Sequence, residues 1–154
     1  MRVKLIGGML PKRATGGSSG FDLYVQEDTW VEPGRNVVPT GICIGLEIGQ
    51  EGQVRPRSGY SLKGMLCDVE TYKGSGKLMR FRANADVLLG TIDSDYRGEV
   101  GVIIHNHEPF HILLKEGQRI AQLVIKNVST EGIDVVDDLE DTDRGSGGFG
   151  HSGS

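Results

Sequence analysis

Short runs of β-branched and apolar residues make up this chain, and turn signals interrupt every one of them. Val3–Ile6, Phe21–Val25, Val37–Leu46, Gly52–Arg55, Val100–Ile104, His111–Leu114, Ile120–Val128 and Ile133–Val136 have the length and composition of strands. Glu32-Pro-Gly34, Gly49-Gln-Glu-Gly52, His107-Glu-Pro109 and Glu116-Gly117 read as the turns between them. No stretch holds a helical apolar period beyond about two turns. Only Ser58–Lys63 suits a brief helix. Glycine supplies 24 of the 154 residues, about twice the usual share, as many tight turns require. The pattern predicts an all-β fold: a sandwich, a jelly roll or a barrel.

At 154 residues the chain is long enough to bury one core of its own. Its net charge of −4 argues against direct, broad binding to nucleic acid. It leaves room for a local group of arginines facing a small polyanion. No stretch approaches the length that spans a membrane, and the opening Met1–Ile6 lacks the apolar segment of a signal peptide. An intracellular, cytoplasmic protein with reduced thiols is expected. Of its two cysteines, Cys43 lies in an apolar run and is expected to be a small core residue.

Two segments break the rhythm. Within Leu66–Asp86, Val69–Tyr72 and Leu78–Arg82 flank Lys73-Gly-Ser-Gly-Lys77, which predicts a β-hairpin with a glycine-bearing turn. Asp137–Asp143 is an acidic spacer with no apolar period, suited to a solvated tether. A glycine- and serine-rich tail, Arg144–Ser154, follows it and carries one arginine and one phenylalanine. Those two side chains suit a phosphate and a nucleobase face, while a frayed terminus is the plainer alternative. The expected organisation is one β domain over residues 1–136, with a hairpin inserted at about 66–86, then a tether and arm over 137–154.

Four further clusters carry possible chemistry. In Arg55-Pro-Arg-Ser-Gly59 a strand ends in two arginines and a serine. If Ser58 caps the short helix, its hydroxyl, the free backbone N–H groups and Arg57 make an anion site; otherwise this is a cap with surface arginines. Gly90–Glu99 places Asp93 and Asp95 either side of Ser94 in a hairpin, where one carboxylate can orient a water and Tyr96 can pack on a sugar or base. Ala14–Tyr24 sets a glycine-serine loop before Asp22, a natural anchor for hydrated Mg²⁺ beside a polyphosphate, or a turn residue bonding backbone donors. Gly117–Leu123 puts Arg119 and Gln122 on an apolar strand; Gln122 suits a phosphate oxygen and Arg119 a structural ion pair. His105, His107 and His111 form a looser group, with no cysteine near to complete a zinc site.

Taken in order, these segments resemble the five motifs of the trimeric dUTPase family. Thr15–Tyr24 matches the first, Arg57-Ser-Gly59 the second, Gly90–Glu99 the third, Gly117–Leu123 the fourth and Arg144–Gly153 the fifth. The resemblance implies a distorted jelly-roll or β-barrel of short strands, assembled as a homotrimer with shared active sites and a mobile C-terminal arm. It implies hydrolysis of dUTP to dUMP and pyrophosphate with Mg²⁺, which limits uracil in DNA and supplies dUMP for thymidylate synthesis. By the same resemblance, Asp93 activates the attacking water and Tyr96 packs under the deoxyribose. The backbone of Gly90, Thr91 and Ile92 reads the uracil edge. Arg57, Ser58 and Gly59 hold phosphates, Ser58 near the scissile bridge, and Gln122 contacts the α-phosphate. Asp22 binds Mg²⁺ through water. Arg144 and Ser152 grip the γ-phosphate and Phe149 stacks on uracil, with Gly150 in the same arm.

The chain departs from the family at His151, which stands where serine is frequent, at Gln118 in place of aspartate and at Phe21 in place of tyrosine. The stretch between Lys63 and Gly90 is long, as in some viral members. A dCTP deaminase shares the fold but usually lacks the arginine–phenylalanine tail. The inserted hairpin, with Lys73, Lys77, Arg80 and Arg82 beside Tyr72 and Phe81, is either a solvated surface or a docking face for a protein partner.

Overall fold

The computed structural model describes residues 1–147. Twelve strands and one helix follow in the order β1 (Arg2–Leu5), β2 (Phe21–Tyr24), β3 (Thr29–Val31), β4 (Gly34–Gly45), β5 (Gln50–Arg55), α1 (Ser58–Lys63), β6 (Met65–Glu70), β7 (Leu78–Ala83), β8 (Ala85–Val87), β9 (Gly90–Ile92), β10 (Glu99–Asn106), β11 (Ile112–Leu114) and β12 (Arg119–Asn127). They form three four-stranded sheets, ordered β1-β4-β10-β8, β3-β11-β6-β7 and β2-β12-β5-β9. All pairings are antiparallel. This is the all-β fold that the strand pattern predicts, in the distorted jelly-roll form that the family resemblance implies. Among the described residues no helix is long and apolar enough to cross a membrane.

Period-two alternation builds the core. Along β10, Val100, Val102, Ile104 and Asn106 point inward and their neighbours outward. Leu23, Ile42, Met65, Ile112, Leu114, Ile120 and Leu123 meet them from the other strands, each at most 1% exposed. Asn106 enters this core with its polar atoms satisfied. Its Nδ2 donates to the carbonyls of Val31 (3.1 Å) and Phe110 (2.9 Å), and its Oδ1 accepts from the Glu108 amide (3.0 Å). It thereby pins the β10–β11 connection to β3.

Three expectations fail. Ile133–Val136 forms no strand: Ile133 and Val135 are 93% and 95% exposed, and no strand among the described residues pairs with them. Cys43 is half-buried rather than core, since β4 turns Ile42 and Ile44 inward and Cys43 outward. The hairpin arm before Lys73 begins at Met65, not Val69, and its register pairs Glu70 with Leu78 and Met65 with Ala83. Met65, Cys67 and Val69 are its inward residues.

Candidate active site

At the end of β5, Pro56 stops the ladder and the chain turns into α1. Arg57 takes the N-cap position in extended geometry (φ −88°, ψ 132°). The expected Ser58 cap is not formed: Ser58 is the first helical residue and no side chain caps the helix. A Cβ placed on Gly59 would meet no heavy atom within 4 Å, so the open space beside it belongs to the cleft rather than to packing.

Sheet register brings the other groups to the same place. Gln122 on β12 stands opposite Asp22 on β2 and, on its other side, opposite Arg55 on β5. The Asp22 side chain is 12% exposed and holds two guanidinium groups, with Arg57 Nε at 3.1 Å and Arg119 Nη1 at 3.3 Å. Arg57 also donates from Nη1 to the Arg119 carbonyl (3.3 Å) and lies 5.6 Å from the Tyr60 ring centre. Gln122 donates from Nε2 to the Pro56 carbonyl (2.9 Å). Gly20 lies against it: a Cβ there would come within 2.6 Å of Gln122 Oε1 and displace that amide. The loop before β2 is tied locally, Ser18 Oγ accepting the Thr15 amide at 3.1 Å. Asp22, Arg57, Ser58, Gly59 and Gln122 together line a cleft of about 360 Å³.

The hairpin that carries Asp93 is braced as a separate unit. The Tyr96 amide donates to the Asp93 carbonyl (3.1 Å), closing a turn. Tyr96 Oη donates to the Glu99 carbonyl (3.0 Å), and Arg97 Nη1 to the carbonyls of Ser94 (2.7 Å) and Tyr96 (2.8 Å). Any side chain at Gly98 would collide with the Tyr96 phenol. Asp93 and Tyr96 stay exposed, and both Asp93 and Asp95 lie past the last residue of β9, where strand parity does not apply.

The predicted residues therefore fall into two groups. Gly90 stands opposite Val54, next to Arg55, but β9 runs away from the cleft: Ile92 stands opposite Gly52 and Asp93 lies beyond. At about 3.3 Å per residue, Asp93 is on the order of 13 Å along the sheet from the Arg55 end. Arg144 is exposed, its Nε donating to the Gly147 carbonyl at 2.8 Å. Phe149, Gly150, His151 and Ser152 lie outside the described residues. The histidines take other roles. His105 and His107 stack at 4.2 Å, His107 Nε2 meets Asp86 at 2.9 Å, and His111 sits edge-on to Trp30. Two cations that sequence reasoning did not place in the site, Lys63 and the hairpin's Arg82, also line the cleft. Nothing in their spacing could have signalled it, since a turn and a sheet pairing bring them together.

A jelly roll of short strands with a cation-lined cleft, a lone buried carboxylate and a separately braced aspartate hairpin has the outline of a nucleotide phosphohydrolase. A family model described as dUTPase matches residues 8–87 and 75–153. The deoxyuridine 5'-triphosphate nucleotidohydrolase of Syntrophotalea carbinolica is 43% identical over 148 residues, spanning 94% of this chain and 89% of that protein. That of Paramecium bursaria Chlorella virus 1 is 39% identical over 144 residues, spanning 93% and 89%. The solved Staphylococcus bacteriophage 80alpha dUTPase with dUPNHPP shares the fold, with TM-score 0.80 at 24% identity over 99% of this chain and 98% of that one. The chain belongs to the dUTPase family.

Proposed function

We propose that this chain is a dUTP diphosphatase, cleaving dUTP to dUMP and pyrophosphate in sites shared between the subunits of a homotrimer. One observation carries the reading. Arg57, Ser58, Gly59, Gln122 and Asp22 share one cleft, while Asp93 and Tyr96 stand exposed on a rigid hairpin too far along the sheet to reach it. A second copy brings the two halves together.

In this arrangement Arg57 and the Ser58–Gly59 backbone hold phosphate oxygens, and Gln122 contacts the α-phosphate. Asp93 of a neighbouring copy orients the attacking water and takes its proton as the bond to the α-phosphorus forms; pyrophosphate leaves. No covalent intermediate is needed. Tyr96 packs under the deoxyribose, where a 2′-hydroxyl has no room. β9 is the edge strand of its sheet, so backbone groups of Gly90, Thr91 and Ile92 have a free side to pair with the uracil edge. The arm over 137–154 supplies Arg144 and Ser152 to the γ-phosphate and Phe149 and Gly150 to the base side, from a neighbouring subunit.

The donor set fits Mg²⁺. Asp22 offers a single carboxylate, and no group of three His, Cys, Asp or Glu side chains among the described residues forms a cage. One carboxylate acting through water suits an ion that takes its remaining ligands from phosphates. When bound, Mg²⁺ offsets phosphate charge and orders the triphosphate. The protein acts inside the cell, limiting uracil in DNA and supplying dUMP.

Turnover of dUTP, dCTP, dTTP and UTP, with and without Mg²⁺, tests the reading. Hydrolysis of dUTP alone, without ammonia, is expected. Ammonia from dCTP would replace it with a deaminase.

A further inference from the structure

The cleft that holds Arg57 has a second bank of charge. Lys63, the last residue of α1, and Arg82, on the inserted strand β7, line it together with Ser18 and Arg57. The lining thus has three cations to one carboxylate, and Asp22 is already held by Arg57 and Arg119. Among the described residues, neither Lys63 nor Arg82 has a carboxylate within 4.0 Å. Both side chains are exposed. In a chain of net charge −4, two unpaired cations gathered at one concave site favour an anion of more than one charge.

The approach of the insert to this cleft is built rather than incidental. Gly64 closes α1 at φ +80°, and its amide donates to the Tyr60 carbonyl at 2.9 Å. A Cβ at Gly64 would lie 2.8 Å from the Ala83 carbonyl oxygen, so only glycine lets β7 pass this close. Arg82 Nη1 then donates to the Gly64 carbonyl at 3.2 Å, which ties the guanidinium to the helix end while its other side-chain donors have no partner among the described residues.

We infer that Lys63 and Arg82 form a pyrophosphate-binding wall, by which the inserted hairpin contributes directly to holding the β- and γ-phosphates of the substrate and the pyrophosphate product. The inference rests on the dUTP reading and adds two binding residues to it. Because the wall contacts the phosphates that leave, it strengthens triphosphate and pyrophosphate binding and is indifferent to dUMP.

Lys63→Gln, Arg82→Gln and the double variant test it, with calorimetric affinities for α,β-imido-dUTP and dUMP and the inhibition constant for inorganic pyrophosphate. Each single change is expected to weaken the imido analogue and pyrophosphate about fivefold, and the pair about twentyfold, with dUMP unchanged within about twofold. The salt dependence of analogue binding flattens in parallel. Equal weakening of dUMP and the analogue, or no weakening of either, overturns the wall. Lys63 makes no bond that the fold needs, so Lys63→Gln reads the effect even if Arg82→Gln fails to fold; Arg82→Lys, which keeps the charge, is then expected to retain affinity. If the unmodified protein binds neither nucleotide, the dUTP reading itself fails. If it binds both and the variants lose nothing, only the wall fails.

Discussion

Arg57 Nε lies 3.1 Å from Asp22 Oδ1, so the cation proposed to hold phosphate rests on the carboxylate proposed to anchor Mg²⁺. Arg119 shares the same carboxylate at 3.3 Å. Replacing Asp22 with asparagine leaves two guanidinium groups without an anion. A loss of about 1–3 kcal/mol in chemical denaturation is expected, together with a higher Mg²⁺ requirement for turnover. An unchanged denaturation midpoint would show that the pair contributes nothing to the fold.

Separation of Asp93 from Gln122 along β5 makes complementation possible. Asp93→Asn and Gln122→Ala are each expected to lose most turnover, Asp93→Asn by about 10²–10⁴-fold with nucleotide binding kept. Co-refolded in equal amounts, they should regain about a quarter of wild-type activity, because random assortment gives that share of sites both intact halves. A mixture as inactive as its components would place both groups in one subunit's site.

Burial pushes the Cys67 thiol up from its ordinary 9.0 to about 11. Its folded value exceeds its unfolded one, so this contribution to stability is complete below pH 9 and lost as pH rises through 11. The loss amounts to about 3 kcal/mol at most. Cys67→Ala should start less stable at neutral pH, from the cavity, yet fall less steeply between pH 9 and 11. Parallel curves for the two proteins would refute the assignment.

Removal of residues 144–154 is expected to reduce turnover at least a hundredfold, estimated from the loss of γ-phosphate and base contacts at about 10², while thermal stability stays within a degree or two of wild type. The described part of this segment explains the second half of that expectation, since Arg144 bonds only within its own turn. Comparable losses in both measurements would make the arm structural.

Legibility varied with the kind of signal. Ser58–Lys63 was readable to the residue because Pro56 and Gly64 punctuate both ends. The long strands were readable from alternation, within a residue or three at their ends. Three-residue strands such as Thr29–Val31 and Ala85–Val87 carry too few positions for a period and were missed. Ile133–Val136 has the composition of a strand but no partner among the described residues, and pairing is a tertiary fact. Motif order pointed to Asp22, Arg57 and Gln122 as parts of one site. Only the β2-β12-β5 register shows why they meet. The Lys63–Arg82 bank depends on Gly64 passing the Ala83 carbonyl, a contact between residues far apart in the chain.

None of the six residues of α1 is buried, and Leu62 is 82% exposed. Only Tyr60 packs against the core, its hydroxyl accepting from Gln118 Nε2 at 3.2 Å, so this element is held by one side chain and its two ends. Its amides should exchange with solvent deuterium far sooner than those of β10 or β12, at a free-energy cost well below global unfolding. Occupancy of the cleft would then be written into that exchange rate, making α1 a built-in reporter of ligand.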